Sequence, residues 1–273
     1  MNNLNSDIIK FIKKNTEIKT VKTYDDFESF YHVVEDNTPN NKELRMIKRY
    51  LSNSKNANNI LDIGSAGGRL AIPLIRDGHN LWCIDKSKYQ CNRLKNKLRN
   101  YNIMAKIING DIITYSFENN LFDICFMLNS VSLYFNSLLD MEKVLENVSK
   151  SLKKNGIFIF DIMVESNEKN ISTFFNEYSD EDSDSLIIRE ITIEDNLNCN
   201  DCTIYTIRFK NNKYDIFKEF NRELKYDLNN IIRLIDKYEL EVIDTINYDN
   251  FDQVESLERL KNIENIILVC KKR

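Results

Sequence analysis

Three glycines between positions 64 and 68 and an acidic side chain at Asp85 are the residues most suited to binding chemistry. The glycines follow an apolar run at 60–63, and Asp85 ends a second apolar run at 81–84. Glycine lets the backbone approach a ligand closely, and a helix that follows such a turn begins with unpaired N–H groups. An acid at the tip of the second strand accepts hydrogen bonds from both hydroxyls of a ribose. The pattern predicts a strand, turn, helix and strand that bind a nucleotide-like cofactor.

The spacing of these glycines is not that of a dinucleotide site. That fingerprint is G-x-G-x-x-G, and counting from Gly64 its second and third glycines would fall at Ala66 and Arg69. The pattern G-x-G-x-G fits better, with Ala66 at its centre, Gly68 at its end and Asp62 before it. NAD is therefore not the expected cofactor.

The residues from Leu61 to Leu70 resemble motif I of the class I S-adenosylmethionine-dependent methyltransferases, commonly written Leu-Asp-x-Gly-x-Gly-x-Gly-Arg-Leu. Ala66 departs from this motif, because it adds a methyl group where the cofactor passes, while Gly67 beside it keeps the turn flexible. The resemblance covers residues 40–165 well, since further landmarks follow in the family's order. These are a helix at 89–100, a strand at 105–108 followed by Asp111, a strand at 122–128, and a turn at 152–156 before a strand at 157–161.

The resemblance implies an α/β fold, a Rossmann-like seven-stranded methyltransferase sheet with flanking helices, to which an antiparallel β-meander insertion is added. Residues 1–55 are expected to form an N-terminal helical lid segment, and residues 56–165 and 223–273 the cofactor-binding core. Residues 166–222 are expected to form an acidic loop and a β-rich insertion, either a substrate lid or a dimerisation element. Residue patterns support strands at 185–193, 203–210 and 213–219, a helix at 228–238, and strands at 241–248 and 265–271.

The family resemblance also implies which residues hold S-adenosylmethionine. Asp85 would bind the ribose, Asp111 the adenine amino group, Ile112 would pack on the ring, and the Leu128 carbonyl would accept from the ammonium group. Arg69 would lie near the cofactor's carboxylate or along the helix face. The complete expected set is Tyr24, Asp62, Gly64, Ser65, Ala66, Gly68, Arg69, Asp85, Lys86, Asp111, Ile112, Leu128 and Asn129.

Candidates for contacts with the acceptor lie at the N-terminus and after the fourth strand. In many small-molecule methyltransferases, including the amino-sugar and glycine N-methyltransferases, an N-terminal helix closes over the site, which makes Tyr31 and His32 candidates for a substrate contact or base. An aromatic face packed on the core is the alternative. Asn129 begins the run Asn-Ser-Val-Ser, whose neutral hydrogen-bonding groups suit the orientation of a polar acceptor.

The expected reaction is the in-line transfer of a methyl group to an amine of a small molecule. The run after the fourth strand has neither the Pro-Pro signature of enzymes that methylate bases and amides nor the clustered acids of metal-dependent O-methyltransferases. No metal is therefore expected, and no dedicated base is evident, which favours nitrogen over oxygen. O-methylation, RNA or protein methylation, and a non-catalytic cofactor-binding protein stay open as alternatives.

Composition limits the partners and the compartment. The formal net charge of -4 argues against a broad nucleic-acid surface, although a local basic patch fits within that average. The sequence has no apolar run of membrane-spanning length and no signal peptide, and its scattered cysteines suit reduced thiols, so a cytoplasmic monomer or homodimer is expected. Cys199 and Cys202 lack a second ligand pair for zinc, and the expectation is a hairpin turn at Asn200-Asp201.

Overall fold

The structure of the protein is a computed structural model, and its chain falls into two compact units. The larger unit comprises Pro39–Glu168, Glu194–Asn200 and Arg222–Arg273, and the smaller one Met1–Thr38, Lys169–Ile193 and Asp201–Asn221. The residues that the structure describes are 8, 10–12, 14, 17–22, 24–25, 40–51, 57–164, 172–179, 184–193, 199–211, 213–254 and 263–273.

The elements are numbered here in chain order. The strands are β1 (Ile18–Thr20), β2 (Asn59–Ile63), β3 (Asn80–Asp85), β4 (Lys106–Asn109), β5 (Phe122–Met127), β6 (Leu152–Met163), β7 (Ser172–Ser179), β8 (Asp184–Ile193), β9 (Cys199–Lys210), β10 (Lys213–Leu224), β11 (Leu240–Asn247) and β12 (Asn265–Lys272). The helices are α1 (Asn41–Arg49), α2 (Ala71–Arg76), α3 (Lys88–Tyr101), α4 (Leu138–Ser151) and α5 (Leu228–Lys237), with a 3-10 turn at Val131–Tyr134.

The larger unit contains a seven-stranded sheet with the spatial order β11-β12-β6-β5-β2-β3-β4. Its pairs from β4 to β6 are parallel, whereas β12 runs antiparallel to both β6 and β11. The order reverses between β2 and β5, the arrangement at which open α/β sheets bind ligands beyond the strand ends. The predicted Rossmann-like methyltransferase sheet is confirmed, and the loops after β2, β3, β4 and β5 meet at its carboxyl edge.

Two apolar layers cover the faces of this sheet. On one face, Val144 of α4 and Ile231 of α5 belong to a core with Phe158 and Phe160 of β6. On the other face, helices α1, α2 and α3 pack against a core that includes Ile159 of β6. Consecutive side chains of β6 therefore pack into opposite layers, because side chains alternate between the two faces of a strand.

Serine and aspartate side chains fix the starts of the longer helices. Ser87 Oγ accepts from the N–H of Gln90 at the start of α3, at 3.2 Å, and Asp227 accepts from that of Asn230 in α5, at 2.8 Å. Such caps satisfy N–H groups that have no partner inside the helix. In α3 the cap follows directly on Asp85 and Lys86, so it also fixes the chain after the predicted ribose-binding acid.

The smaller unit holds most of a five-stranded sheet of order β1-β10-β9-β8-β7, and two sequence-based expectations differ there. Residues 166–184 were predicted as an acidic loop, but positions 172–179 form β7, which pairs antiparallel with β8. Positions 180–183 of the acidic run lie outside the described residues. The predicted turn at Asn200-Asp201 is wrong, because both residues lie inside β9. Asn200 is buried and its amide contacts Met163 Sδ at 3.6 Å, so tertiary packing overrides its turn preference.

None of the helices in the described ranges combines the length and apolar character needed to cross a bilayer. Cys199 and Cys202 are both buried. No group of three or more His, Cys, Asp or Glu side chains in that part of the chain is arranged to hold a metal ion.

Candidate functional site

The turn between β2 and α2 has a left-handed backbone at three positions. The φ angle is 71° at Gly64, 43° at Ala66 and 84° at Gly68. A Cβ atom added at Gly64 would lie 2.5 Å from Cγ2 of Val131, and one added at Gly68 would meet Cδ1 at the flexible end of Leu94. The backbone conformation therefore favours glycine at both positions, and the packing of Val131 adds to this preference at position 64.

Ala66 occupies a position where glycine would be the easier residue. A left-handed φ costs a residue with a Cβ roughly 1–2 kcal/mol. The sequence suggested that Gly67 beside it would keep the turn flexible. The N–H of Ala66 donates to Asp85 Oδ2 at 2.9 Å. This charge-assisted bond offsets the backbone cost and ties the turn to the end of β3.

Asp85 is the last residue of β3, and backbone groups fix its carboxylate on both sides. Oδ2 accepts from Ala66, and Oδ1 accepts from the N–H of Ser87 at 2.8 Å. The turn after β2 is also joined to β3 by the Gly64 N–H, which donates to the Ile84 carbonyl at 2.9 Å. The acid is thus oriented at the strand end before any ligand binds, as a diol-binding carboxylate must be.

The end of β4 is attached to the same point. Asn109 donates through Nδ2 to the carbonyls of Asp85, at 3.1 Å, and Lys86, at 2.9 Å. The N–H of Gly110 also donates to the Asp85 carbonyl, at 3.0 Å. Lys86 therefore contributes its carbonyl to the framework of the site, while its side chain is exposed.

Asp111 and Ile112 follow β4 and have different environments. Asp111 is exposed, and its Oδ1 accepts from the N–H of Ile113 at 2.9 Å, which orients the carboxylate in a local turn. Ile112 is buried in the core beside α4, and its carbonyl accepts from Asn147 Nδ2 at 2.9 Å. The exposed acid is available to a polar ligand group, and the buried isoleucine anchors the loop that presents it.

Asp62 and Ser65 support the turn after β2 from inside the sheet. Asp62 is buried in β2, opposite Cys83 of β3. Burial raises the pKa of the Cys83 thiol, and the negative charge of Asp62 raises it further. Ser65 is also buried, and its N–H donates to the Ile84 carbonyl at 3.3 Å.

The segment after β5 carries two consecutive strained residues. Leu128 is buried, and φ is 68° at both Asn129 and Ser130. Asparagine and serine adopt this conformation only at a cost, and such strain is concentrated at ligand-binding positions. Tyr248 donates to Oδ1 of Asn129 at 3.4 Å. The strained pair therefore lies at the carboxyl edge of the sheet, where the sequence placed an acceptor-orienting group.

Asp161 of β6 is a buried acid that holds this strained segment, and sequence reasoning missed it. Its Oδ2 accepts from the N–H of Ser130 at 2.7 Å, and its carbonyl accepts from Ser132 Oγ at 2.8 Å. Burial raises the pKa of Asp161 to about 7; the nearby Glu43 charge raises it too, whereas the Ser130 N–H and the Arg69 charge lower it. Oδ1 has no hydrogen-bond partner among the described atoms. An acid that ends the apolar run 157–160 was the available signal.

The sequence left two possible positions for the Arg69 side chain, near the cofactor's carboxylate or along the helix face. Its guanidinium donates to both carboxylate oxygens of Glu43, at 2.6 Å and 2.6 Å, and both side chains are buried. Its carbonyl accepts from Asn40 Nδ2 at 2.8 Å. These bonds attach the start of α1 to the glycine-rich turn. In this structure Arg69 is an anchor for α1, and Glu43 is a further residue that sequence reasoning missed.

The described residues bring together most of the predicted binding set. Asp62, Gly64, Ser65, Ala66, Gly68, Arg69, Asp85, Lys86, Asp111, Ile112, Leu128 and Asn129 all lie in the larger unit, in or after β2, β3, β4 and β5. Tyr24 lies in the smaller unit, with a φ of 67°. Tyr31 and His32 lie outside the described residues, so their catalytic role stays a prediction.

Comparison with known proteins agrees with this geometry. Residues 61–160 match the model of a methyltransferase domain family. A carboxy-S-adenosyl-L-methionine synthase from Nautilia profundicola is 29% identical over 121 residues, which are 44% of this chain and 49% of that protein. The chain thus spans about half the length of this curated relative.

Solved structures share the fold. An S-adenosylmethionine-dependent methyltransferase from Clostridium acetobutylicum superposes with a TM-score of 0.73 at 22% identity, over 89% of this chain and 97% of that one. CalS10, an amino pentose methyltransferase from Micromonospora echinaspora, gives a TM-score of 0.71 at 10% identity, over 90% of this chain and 98% of that one. The predicted resemblance to class I methyltransferases is confirmed.

Proposed function

We propose that this chain, whose residues 61–160 match the model of a methyltransferase domain, transfers a methyl group from S-adenosylmethionine to an amine of a small-molecule acceptor. The observation that carries the proposal is the carboxylate of Asp85, fixed by the N–H groups of Ala66 and Ser87 at the carboxyl end of β3, the strand beside the switch point between β2 and β5. A ribose diol is the ligand group that suits such an acid.

The residues around Asp85 fit S-adenosylmethionine in chemistry. The turn from Gly64 to Gly68 has three glycines, and glycine lets the backbone approach a ligand group such as the amino acid tail closely. Asp111 is exposed at the end of β4, where it can accept from an adenine amino group. The Leu128 carbonyl and Asn129 at the end of β5 are proposed to hold the ammonium group of the tail.

When bound, S-adenosylmethionine supplies an activated methyl group on a sulfonium cation. What remains for the protein is to align the acceptor in line and to exclude water. The strained Asn129–Ser130 pair is proposed to orient the acceptor, because Asp161 fixes its backbone.

The names of the curated relatives favour a second candidate function. They are synthases of carboxy-S-adenosyl-L-methionine, so they make a modified form of the cofactor. Their matches are 27–29% identical and cover 49–63% of their lengths. This candidate differs from the first in its product, because the cofactor itself is converted and no separate acceptor is methylated.

One experiment separates the two functions. The purified chain is incubated with S-adenosylmethionine and a panel of small amines and alcohols, and all small molecules are identified by mass spectrometry. Amine methylation requires S-adenosylhomocysteine and a methylated amine in equal amounts. Methylation of alcohols alone would contradict the amine proposal. A parallel reaction adds a panel of small carboxylic acids as donors of the carboxyl group, and formation of carboxy-S-adenosylmethionine there without a methylated acceptor would support the second candidate. Methylation of bulk tRNA in a parallel reaction would move the function to RNA.

Replacing Asp85 with alanine is expected to weaken binding of S-adenosylmethionine by ~1–3 kcal/mol, because charge-assisted hydrogen bonds to the ribose are lost. Calorimetric titration with S-adenosylmethionine, S-adenosylhomocysteine and NAD measures the change. Asp77→Ala is the matched control, since Asp77 follows α2 and pairs with Lys48 on the surface. Equal affinity of the wild type and the Asp85 variant would remove Asp85 from the site, and binding of NAD alone would overturn the choice of cofactor.

A further inference from the structure

A pocket lies in the larger unit, between α1 and the chain around the end of β11. Its volume is about 200 Å³. Its lining residues are Lys42, Arg45, Met46, Arg49, Ile246, Asn250 and Phe251. None of the residues of the proposed cofactor site lines it, so it needs a separate explanation.

Three cations line one side of this pocket. Lys42, Arg45 and Arg49 are spaced three and four residues apart on α1, which places them on one face of the helix. No carboxylate forms an ion pair with any of the three among the residues that the structure describes. Lys48 of the same helix, by contrast, pairs with Asp77 at 2.7 Å. Neighbouring like charges repel, so this face is electrostatically unfavourable until an anion binds.

Weaker contacts pre-position two of these cations. The Lys42 ammonium lies 5.7 Å from the centre of the Phe251 ring, and Arg45 Nε donates to the Asn41 carbonyl at 3.2 Å. The Nε bond leaves the terminal amino groups of the Arg45 fork available for a ligand. Both arginines stay charged at any working pH.

Apolar residues form the other side of the pocket. Met46 and Ile246 are each 2% exposed, and Phe251 is half-buried. No acidic residue lines the pocket, although the whole chain has 42 acidic and 38 basic residues. The local charge is therefore opposite in sign to the average charge of the protein.

We propose that this pocket binds a small molecule with two or more phosphate groups. An arginine guanidinium can donate two parallel hydrogen bonds to the oxygens of one phosphate group, and the Lys42 ammonium adds a compact positive charge. The Asn250 side chain, at the mouth of the pocket, supplies a neutral amide for a further polar group of the ligand. The binding does not depend on the methyltransferase reaction.

Titration of the full chain with inorganic pyrophosphate tests the proposal by calorimetry. We expect saturable binding of one equivalent, weakened by added salt. Arg45→Gln and Arg49→Gln should each weaken it about tenfold or more, because each loses a charge-assisted contact. Lys48→Gln, which removes the same charge from the same helix outside the pocket, should leave the affinity within about twofold.

Three results would overturn the proposal. The first is absence of saturable pyrophosphate binding to the wild type, and the second is an equal loss of affinity in Lys48→Gln. The third is binding of single-stranded oligouridylate, but not of pyrophosphate, through the same arginines, which would make the face a nucleic-acid surface. Arg45 and Arg49 are exposed, so their variants should fold, as circular dichroism will check. Because S-adenosylmethionine binding is measured in the same samples, failure here is separate from failure of the proposed function.

Discussion

Replacing Glu43 with alanine is expected to lower the free energy of unfolding by about 3–5 kcal/mol. The change removes the carboxylate partner of the Arg69 guanidinium, whose side chain is only 9% exposed. The two hydrogen bonds at 2.6 Å are lost together, and with them the attachment of α1 to the glycine-rich turn. Urea unfolding monitored by the fluorescence of Trp82, the single tryptophan, measures the loss.

Two further variants separate the charge effect from loss of packing. Lys48→Ala breaks an exposed pair on the same helix and should cost at most about 1 kcal/mol. The double variant Glu43→Leu with Arg69→Met removes both charges and fills the space with apolar atoms. It should recover most of the stability, because a buried ion pair can be replaced by apolar residues at little cost. A Glu43 variant no less stable than the Lys48 variant would contradict the assigned role.

The conformation of the glycine-rich turn and the position of Asp85 at a strand end could be predicted because both are determined by residues close in sequence. Gly64 and Gly68 need a conformation that other residues avoid, and Asp85 ends an apolar run that can only be a buried strand. The order of the sheet then followed from the family resemblance. Local sequence is sufficient wherever a turn type or a strand end decides the position of a side chain.

The contacts that shape the rest of the site join residues that are distant in sequence. Glu43 and Arg69 are 26 positions apart, and Ser130 and Asp161 are 31. An acid at the end of an apolar strand has the same local pattern whether it faces solvent or is buried. Only the packed sheet shows that Asp161 lies among apolar side chains, against the N–H of a strained residue.

The pocket lined by Lys42, Arg45 and Arg49 could not be predicted from the sequence for the same reason. The stripe of cations on α1 is visible as a spacing, but a charged helix face is ordinarily a solvated one. Its pairing with Phe251, about two hundred positions away, is a property of the fold. The negative net charge of the chain argued against a broad basic binding surface.

We expect the stability of the wild type to depend on pH through the buried carboxyl of Asp161. A variant with a neutral side chain at position 161 should lack this dependence. Burial raises the pKa of Asp161 from 3.8 to about 7, so between these values the folded protein holds a proton that the unfolded chain has released. The free energy of unfolding therefore falls as pH rises through this window. One pKa unit corresponds to about 1.4 kcal/mol, which gives a loss of about 4 kcal/mol between pH 4 and pH 8.

Asp161→Asn is expected to lack this loss, because asparagine is neutral throughout and its Oδ1 can still accept from the Ser130 N–H. The difference in unfolding free energy between variant and wild type should grow by about 4 kcal/mol from pH 4 to pH 8, in favour of the variant. Asp249→Asn, at an exposed turn, should follow the wild-type curve. Urea unfolding at a series of pH values measures all three proteins. Parallel curves for the wild type and Asp161→Asn would show that the Asp161 carboxyl does not titrate on unfolding in this range. Its role would then be limited to the hydrogen bond that positions Ser130.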